Sequence, residues 1–351
     1  MKTKIIKINS NQIDSAKITE AADIIRQGGL VAFPTETVYG LGADGLNSDA
    51  SKKIYAAKGR PSDNPLILHI SSIKALEDLT EGDSPLGRKL AQAFWPGPLT
   101  LIFQKSNKVP LETTGGLDTV AIRMPSHPIA YELIRQSGAY IAAPSANASG
   151  RPSPTAADHV LEDMDGRIEM IIDGGRADIG LESTIVDVTG KVPVILRPGF
   201  ITLEDIKEIT GEAEYDKGLF KKPDNDDFKP KAPGMKYRHY APKGQLTIYE
   251  GESDNVIRAI NSAAAVKQAE GYRVGIIATK ETAEAYHYGS VEVIGTREDE
   301  KTIAAGLFQI LREFDTQQAD YIFSESFYDN SLGQAIMNRL LKAAGYHIEK
   351  V

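Results

Sequence analysis

Several clusters of polar residues in this chain sit among glycines and prolines as though to hold an anionic ligand. The run KGRPSDNP, residues 58–65, follows a helical pattern and carries two prolines and a glycine. A loop that stiff can aim Lys58 and Arg60 at one phosphate, with Lys as a point charge and Arg as a planar fork. The same two cations also complement the dipole at a helix C-terminus. Arg123 ends the apolar run TVAIR, residues 119–123, where an unpaired buried charge is costly. Its partner is either an internal carboxylate such as Glu182 or the carboxylate of a ligand. A charge-assisted bond of the second kind is worth about 1.5–3 kcal/mol.

Two further segments offer hydroxyls and backbone N–H groups. PTETVYGLGADG, residues 34–45, places Thr35 and Thr37 before Gly40, Gly42 and Gly45. A dinucleotide fingerprint needs glycines that open a helix directly after the strand, and here PTETVY intervenes. The segment reads instead as a glycine-rich turn, either a plain strand-to-helix connection or one that lets a ligand approach the backbone. AAPSANASGRPSPT, residues 142–155, is a loop of small polar residues after a strand, where α/β sheets bind ligands, and Thr155 is equally a helix N-cap. His69 lies in a strand, a common place for a core histidine. No Walker-type loop, nucleophile elbow or metal-ligand spacing occurs in the sequence.

The elements that must position these residues alternate between helical and extended patterns. Helices are expected at 18–27, 50–57, 86–94, 129–136, 156–161 and 203–209. Strands are expected at 30–33, 66–70, 99–103, 119–122, 140–143, 170–172, 183–188 and 192–196. Several of these strands follow one another too closely for helical crossovers, so the sheet is mixed. Residues 211–243, rich in Lys, Asp and Pro, read as a linker. A second alternation follows, with strands at 246–249, 274–278, 291–294 and 319–323 and helices at 256–268, 280–285, 303–314 and 334–344. It predicts a small Rossmann-like or flavodoxin-like parallel sheet. The expected organisation is therefore a domain over 1–210, a linker over 211–243 and a second domain over 244–351.

Composition narrows the function classes. The 351 residues are 41% hydrophobic and 25% charged, enough to bury two cores. There is no cysteine, which excludes a thiol nucleophile, a zinc–thiolate site and a disulfide scaffold, and fits the cytoplasm. No run of apolar residues is long enough to span a membrane, and the N-terminus lacks the apolar core of a signal peptide. Net charge is −8; residues 1–205 carry 21 Lys+Arg against 25 Asp+Glu, and the remainder 19 against 23. Neither half is basic, so direct binding of nucleic acid through a basic surface is not expected.

Taken in order, PTETVYGLG, KGRP, NPL, WPGPLT, VAIRMP, APSANASG, PSPT, DGG, ESTIVD and LRPG closely resemble the threonylcarbamoyl-AMP synthase family with its YrdC-like domain. APGMKYRHYAP in the linker and IMNRLLKAAG near the end resemble its longer, two-domain form. The resemblance implies an α/β fold: a YrdC-like twisted mixed sheet with helices, plus a smaller Rossmann-like domain. It also implies synthesis of L-threonylcarbamoyl-AMP and pyrophosphate from L-threonine, bicarbonate or CO2, and ATP with Mg2+, feeding the N6-threonylcarbamoyl modification of tRNA. By likeness, Lys58 and Arg60 are the catalytic pair and bind ATP with Asn64, Thr119, Ser145, Asn147, Ser153, Arg197 and Tyr237. Thr35, His69, Arg123, Ala143 and Ser183 would surround threonine. The linker resembles a lid, with Tyr237, His239 or Tyr240 on the nucleotide, and no protein metal site is implied. The product would pass to tRNA-modification proteins.

Overall fold

The structure, a computed structural model, describes residues 2–219, 232, 239–328 and 331–351. These group into two compact units: residues 1–149 with 153–236, and residues 150–152 with 237–351.

The first unit opens with β1 (Lys4–Lys7), α1 (Ser15–Arg26), β2 (Val31–Phe33), β3 (Gly40–Asp44), α2 (Ser48–Lys58) and β4 (Ile67–His69). It continues through α3 (Leu76–Leu79), α4 (Pro85–Phe94), β5 (Leu99–Gln104), α5 (Leu111–Thr114), β6 (Thr119–Arg123), α6 (Pro128–Ser137) and β7 (Ile141–Ala142). It closes with α7 (Ala157–Met164), β8 (Met170–Asp173), β9 (Thr184–Asp187), β10 (Val194–Arg197), α8 (Leu203–Thr210) and β11 (Glu214–Tyr215). Its eleven strands form one mixed sheet in the order β1-β8-β2-β3-β7-β4-β6-β5-β9-β10-β11.

Alternation along the central strands divides that sheet into two faces. Leu68, Leu101, Val120, Ile122 and Val186 enter a large core. Their neighbours Ile67, Ile102, Ala121, Ile185 and Leu196 form a separate apolar cluster. Ala232, the one described residue between two stretches of the linker, is fully buried in that second cluster.

Residues 40–44 depart from the expected turn. Gly40–Asp44 is a strand, antiparallel to β2 and β7. Glycine disfavours a strand interior, but here the missing side chains are what allow the packing. A Cβ on Gly42 would lie 2.8 Å from both Phe33 and Ile141. One on Gly45 would lie 2.2 Å from Leu68 Cδ2 and 2.8 Å from the Tyr140 carbonyl. These glycines admit neighbouring protein, not a ligand. Gly45→Ala should therefore cost about 1–3 kcal/mol of stability by overpacking. An unchanged denaturant midpoint would contradict that closeness.

The second unit contains β12 (Gln245–Glu250), α9 (Ser253–Ala269), β13 (Val274–Thr279), β14 (Ser290–Gly295), α10 (Glu300–Thr316), β15 (Tyr321–Glu325), α11 (Ser331–Ala343) and β16 (Ile348–Lys350). The five strands are all parallel, in the order β14-β13-β15-β12-β16. The expected helix at 280–285 is only a short 3-10 turn over Ala283–Ala285. Among the described residues no helix is long and apolar enough to cross a membrane.

Candidate functional site

α2 is built to deliver Lys58. Asn47 caps its start, its side chain accepting from the N–H groups of Asp49 and Ala50. Gly59 stops it in the left-handed conformation at φ 62°. Lys58, the last helical residue, is buried, and its ammonium donates to the carbonyls of Ser145 and Asn147. Ser145 Oγ in turn donates to Asn147 Oδ1 at 2.5 Å. The KGRP loop and the Ser/Asn loop, 87 residues apart in sequence, are thus joined at one point. Arg60 turns onto its own loop, donating to the carbonyls of Asn64 and Pro65 at 3.2 and 3.0 Å. Asn64 is buried, and its Oδ1 meets no donor among the described residues.

The PTET segment and β6 form a second centre. Thr35 and Thr37 share a hydroxyl hydrogen bond of 2.8 Å, and Thr35 also donates to the Val38 carbonyl at 2.6 Å. Arg123, at the end of β6, donates from Nη1 to Thr37 Oγ1 at 2.8 Å. Its Nη2 pairs with Glu36 Oε1 at 2.7 Å, with both side chains buried. The internal carboxylate facing Arg123 is therefore Glu36, not Glu182. Glu182 is occupied elsewhere, accepting from Ser153 Oγ at 2.5 Å. Sequence pointed to Glu182 because any carboxylate can satisfy a buried arginine; only the return of the chain after β2 brings Glu36 to it.

His69 stands beside Arg123, because β4 and β6 pair in parallel with His69 in register with Arg123. Its Nδ1 lies 3.1 Å from the Ile67 carbonyl. Burial, reinforced by the Arg123 charge, pushes the imidazole down to about 3 from an ordinary 6.5. Below pH 6.5 the unfolded chain takes up a proton that the folded chain refuses. This contribution to stability is full above pH 6.5 and is lost as pH falls toward 3, at up to about 1.4 kcal/mol per pH unit. Denaturant midpoints should fall from pH 7 to pH 5, and less steeply in His69→Gln. Equal slopes in the two proteins would contradict this assignment.

A third centre lies across β5. Thr100 and Ser183 share a hydrogen bond of 2.8 Å, and Arg197 donates to Ser183 from Nε (its carbonyl, 3.0 Å) and Nη2 (its hydroxyl, 3.1 Å). The centres connect through backbone bonds. Tyr39 N–H donates to the Pro154 carbonyl and Ala146 N–H to the Tyr39 carbonyl, each at 2.8 Å, and Ala143 N–H bonds the Ile67 carbonyl at 2.9 Å.

Thr119 and Arg123 lie on one face of β6, four residues apart, so about 13 Å separates their backbones. Ala121 between them belongs to the apolar cluster on that face. The sequence reading put these residues at strand ends; in the structure Thr119, Ala121 and Arg123 alternate along one face of β6. Tyr237 lies outside the described residues. Tyr240, by contrast, packs within the second unit against Phe308, ring centroids 5.1 Å apart.

Sequence reading passed over Glu36 and Thr100. Glu36 sits between two threonines that drew attention as hydroxyls, and its burial depends on a distant strand. Thr100 lies inside a strongly apolar strand, and the period-2 alternation that puts it on the Arg123 face was the available signal.

The fold and these centres define a YrdC-like α/β domain followed by a Rossmann-like domain. Residues 23–199 match the Sua5–YciO–YrdC family, described as telomere recombination, and residues 201–345 match the C-terminal domain of threonylcarbamoyl-AMP synthase. The chain belongs to the threonylcarbamoyl-AMP synthase family. It is 52% identical to the threonylcarbamoyl-AMP synthase of Bacillus subtilis, over 94% of this chain and 93% of that one. It is 49% identical to that of Pyrococcus abyssi, over 99% and 100% of the two chains. The crystal structure of P. abyssi Sua5 complexed with L-threonine superposes with a TM-score of 0.93 at 49% identity, covering 99% of this chain and all of that one.

Proposed function

We propose that this chain joins L-threonine, bicarbonate or CO2, and ATP into L-threonylcarbamoyl-AMP, releasing pyrophosphate. The observation that carries the reading is the buried Arg123–Thr37 contact, in the same unit as the buried Lys58 ammonium that ties together the Ser145 and Asn147 carbonyls. The likeness to proteins named for this reaction, and to one solved with L-threonine, supports it.

The chemistry asks mainly for positioning. Threonine's neutral amine adds CO2 and releases one proton to water, giving a carbamate whose oxygen attacks the α-phosphorus of ATP. The bond to the β-phosphate oxygen breaks and pyrophosphate leaves, making the enzyme a nucleotidyltransferase. Such a transfer depends on alignment and charge neutralisation more than on a dedicated acid and base. Arg123 and Thr35 align the amino acid by its carboxylate, with His69, Ala143 and Ser183 around it. Lys58 and Arg60 offset phosphate charge, and Asn64, Thr119, Ser145, Asn147, Ser153, Arg197 and Tyr237 complete the ATP side.

Among the described residues no group of three His, Asp or Glu could cage a metal ion. Mg2+ fits this site as the partner of ATP, bound by phosphate oxygens and water, where it would neutralise phosphate charge. The lid role falls to the linker, most of which lies outside the described residues, and the adenylate passes to tRNA-modifying proteins in the cytoplasm. With ¹³C-bicarbonate, threonine and ATP, the label should appear in an AMP-linked product by mass spectrometry. AMP formation without label in any such product would refute the reading.

A further inference from the structure

Glu36 is a buried ionisable group that the proposed reaction leaves without a task. It is 7% exposed, in the turn between β2 and β3, and its backbone is fixed by the Ile179 N–H, which donates to the Glu36 carbonyl at 2.9 Å. Burial pushes its carboxyl up, but the charge and proximity of Arg123 outweigh that and hold it below its ordinary value. The group is therefore an anion. Its contact with Arg123 is an ion pair of 2.7 Å, and the backbone N–H groups of Glu36 and Ser126 also help to hold the anion. A carboxylate can accept about four hydrogen bonds, so these contacts leave room for one further donor.

The pair also sets the charge of the pocket. Arg123 alone would make a buried positive site that attracts any small carboxylate or inorganic anion. With Glu36 beside it the net charge is zero. A pair of opposite charges suits a ligand that carries both signs close together, as a zwitterionic α-amino acid does. A monoanion gains from Arg123 and is repelled by Glu36 at nearly the same distance.

Resting on the reading of this pocket as the threonine site, we propose that Glu36 is a specificity-determining residue. It neutralises Arg123 and offers its oxygens to the substrate's α-ammonium, so that the site selects an amino acid over a simple hydroxy-acid anion. Arg123 and Thr35 read the carboxylate; Glu36 reads the nitrogen. The contact survives carbamate formation, since the carbamate nitrogen keeps one N–H to donate.

The test compares L-threonine with 3-hydroxybutyrate, which is threonine without its amine, by calorimetry on the full chain. The unaltered protein should bind threonine at least about tenfold more tightly. In Glu36→Gln that ratio should fall below about threefold, through lost threonine affinity while 3-hydroxybutyrate is unchanged or tighter. A ratio unchanged in Glu36→Gln, with both ligands weakened alike, would overturn the proposal and leave Glu36 a packing role. Glu36→Asp, which keeps the charge, should retain most of the discrimination. If Glu36→Gln does not fold, the comparison on unaltered protein decides alone, and near-equal binding overturns the proposal. Failure of threonine to bind the unaltered protein at all would instead refute the threonine site itself.

Discussion

Lys58→Ala is expected to lower kcat for pyrophosphate release by about 10²–10³, the range for removing one preorganised electrostatic contact. KM for threonine should move less than about threefold. The asymmetry follows from what Lys58 touches. Its ammonium is bonded to the carbonyls of Ser145 and Asn147, whereas Arg123 is bonded to Thr37 and paired with Glu36. Removing Lys58 unties the Ser/Asn loop and, on the proposed assignment, deletes a cation from the phosphate side, while it leaves the Arg123 contacts as they are. Initial rates with threonine and ATP varied in turn would separate the two effects. A fall in kcat/KM carried mainly by KM for threonine would place Lys58 on the wrong substrate.

Arg123→Leu should have the largest combined effect. Threonine affinity is expected to fall by roughly 10–100-fold, the worth of one charge-assisted carboxylate bond. Stability should also drop by about 3–5 kcal/mol at neutral pH, because Glu36 is left as a buried charge without its counter-ion. The pH dependence carries the diagnostic sign. In the unaltered protein Glu36 lies below its ordinary 4.5, so its contribution is present above that value and is lost as pH falls through the folded one. Without Arg123, burial raises Glu36 above its unfolded value, and its contribution is then lost as pH rises. The stability gap between the two proteins should widen from pH 5 to pH 8 in urea titrations. A constant gap would mean that the loss comes from packing alone.

The parts of this site legible in the sequence share a physical reason. Lys58 and Arg60 stand out because Gly59 can take the left-handed helix stop while Pro61 and Pro65 restrict the backbone beyond it, and such conformational signals are written in local residue types. Ser145 and Asn147 stand out for the same reason, between Pro144 and Gly150. Arg123 is conspicuous as a charge closing an apolar strand. The helices were found wherever a periodic apolar face met a cap, as in α2 between Asn47 and Gly59.

What sequence concealed depends on contacts between distant segments. β3 reads as a turn because Gly40 and Gly42 lower strand propensity, and only the rings and methyls of Phe33 and Ile141 pressing on it explain the glycines. β1, a short KIIK strand, becomes visible only through its parallel pairing with β8, 166 residues away at Lys4↔Met170. Glu36 belongs to the same class. Its neighbours in sequence are hydroxyls, and its partner is 87 residues downstream.

Pyrophosphate release from ATP tests the central claim most directly, measured with both L-threonine and bicarbonate, with each alone, and with neither. The account predicts release only when both are present, with AMP appearing in a threonine-containing product. Release that ignores threonine or bicarbonate, or no release under any combination, would contradict it.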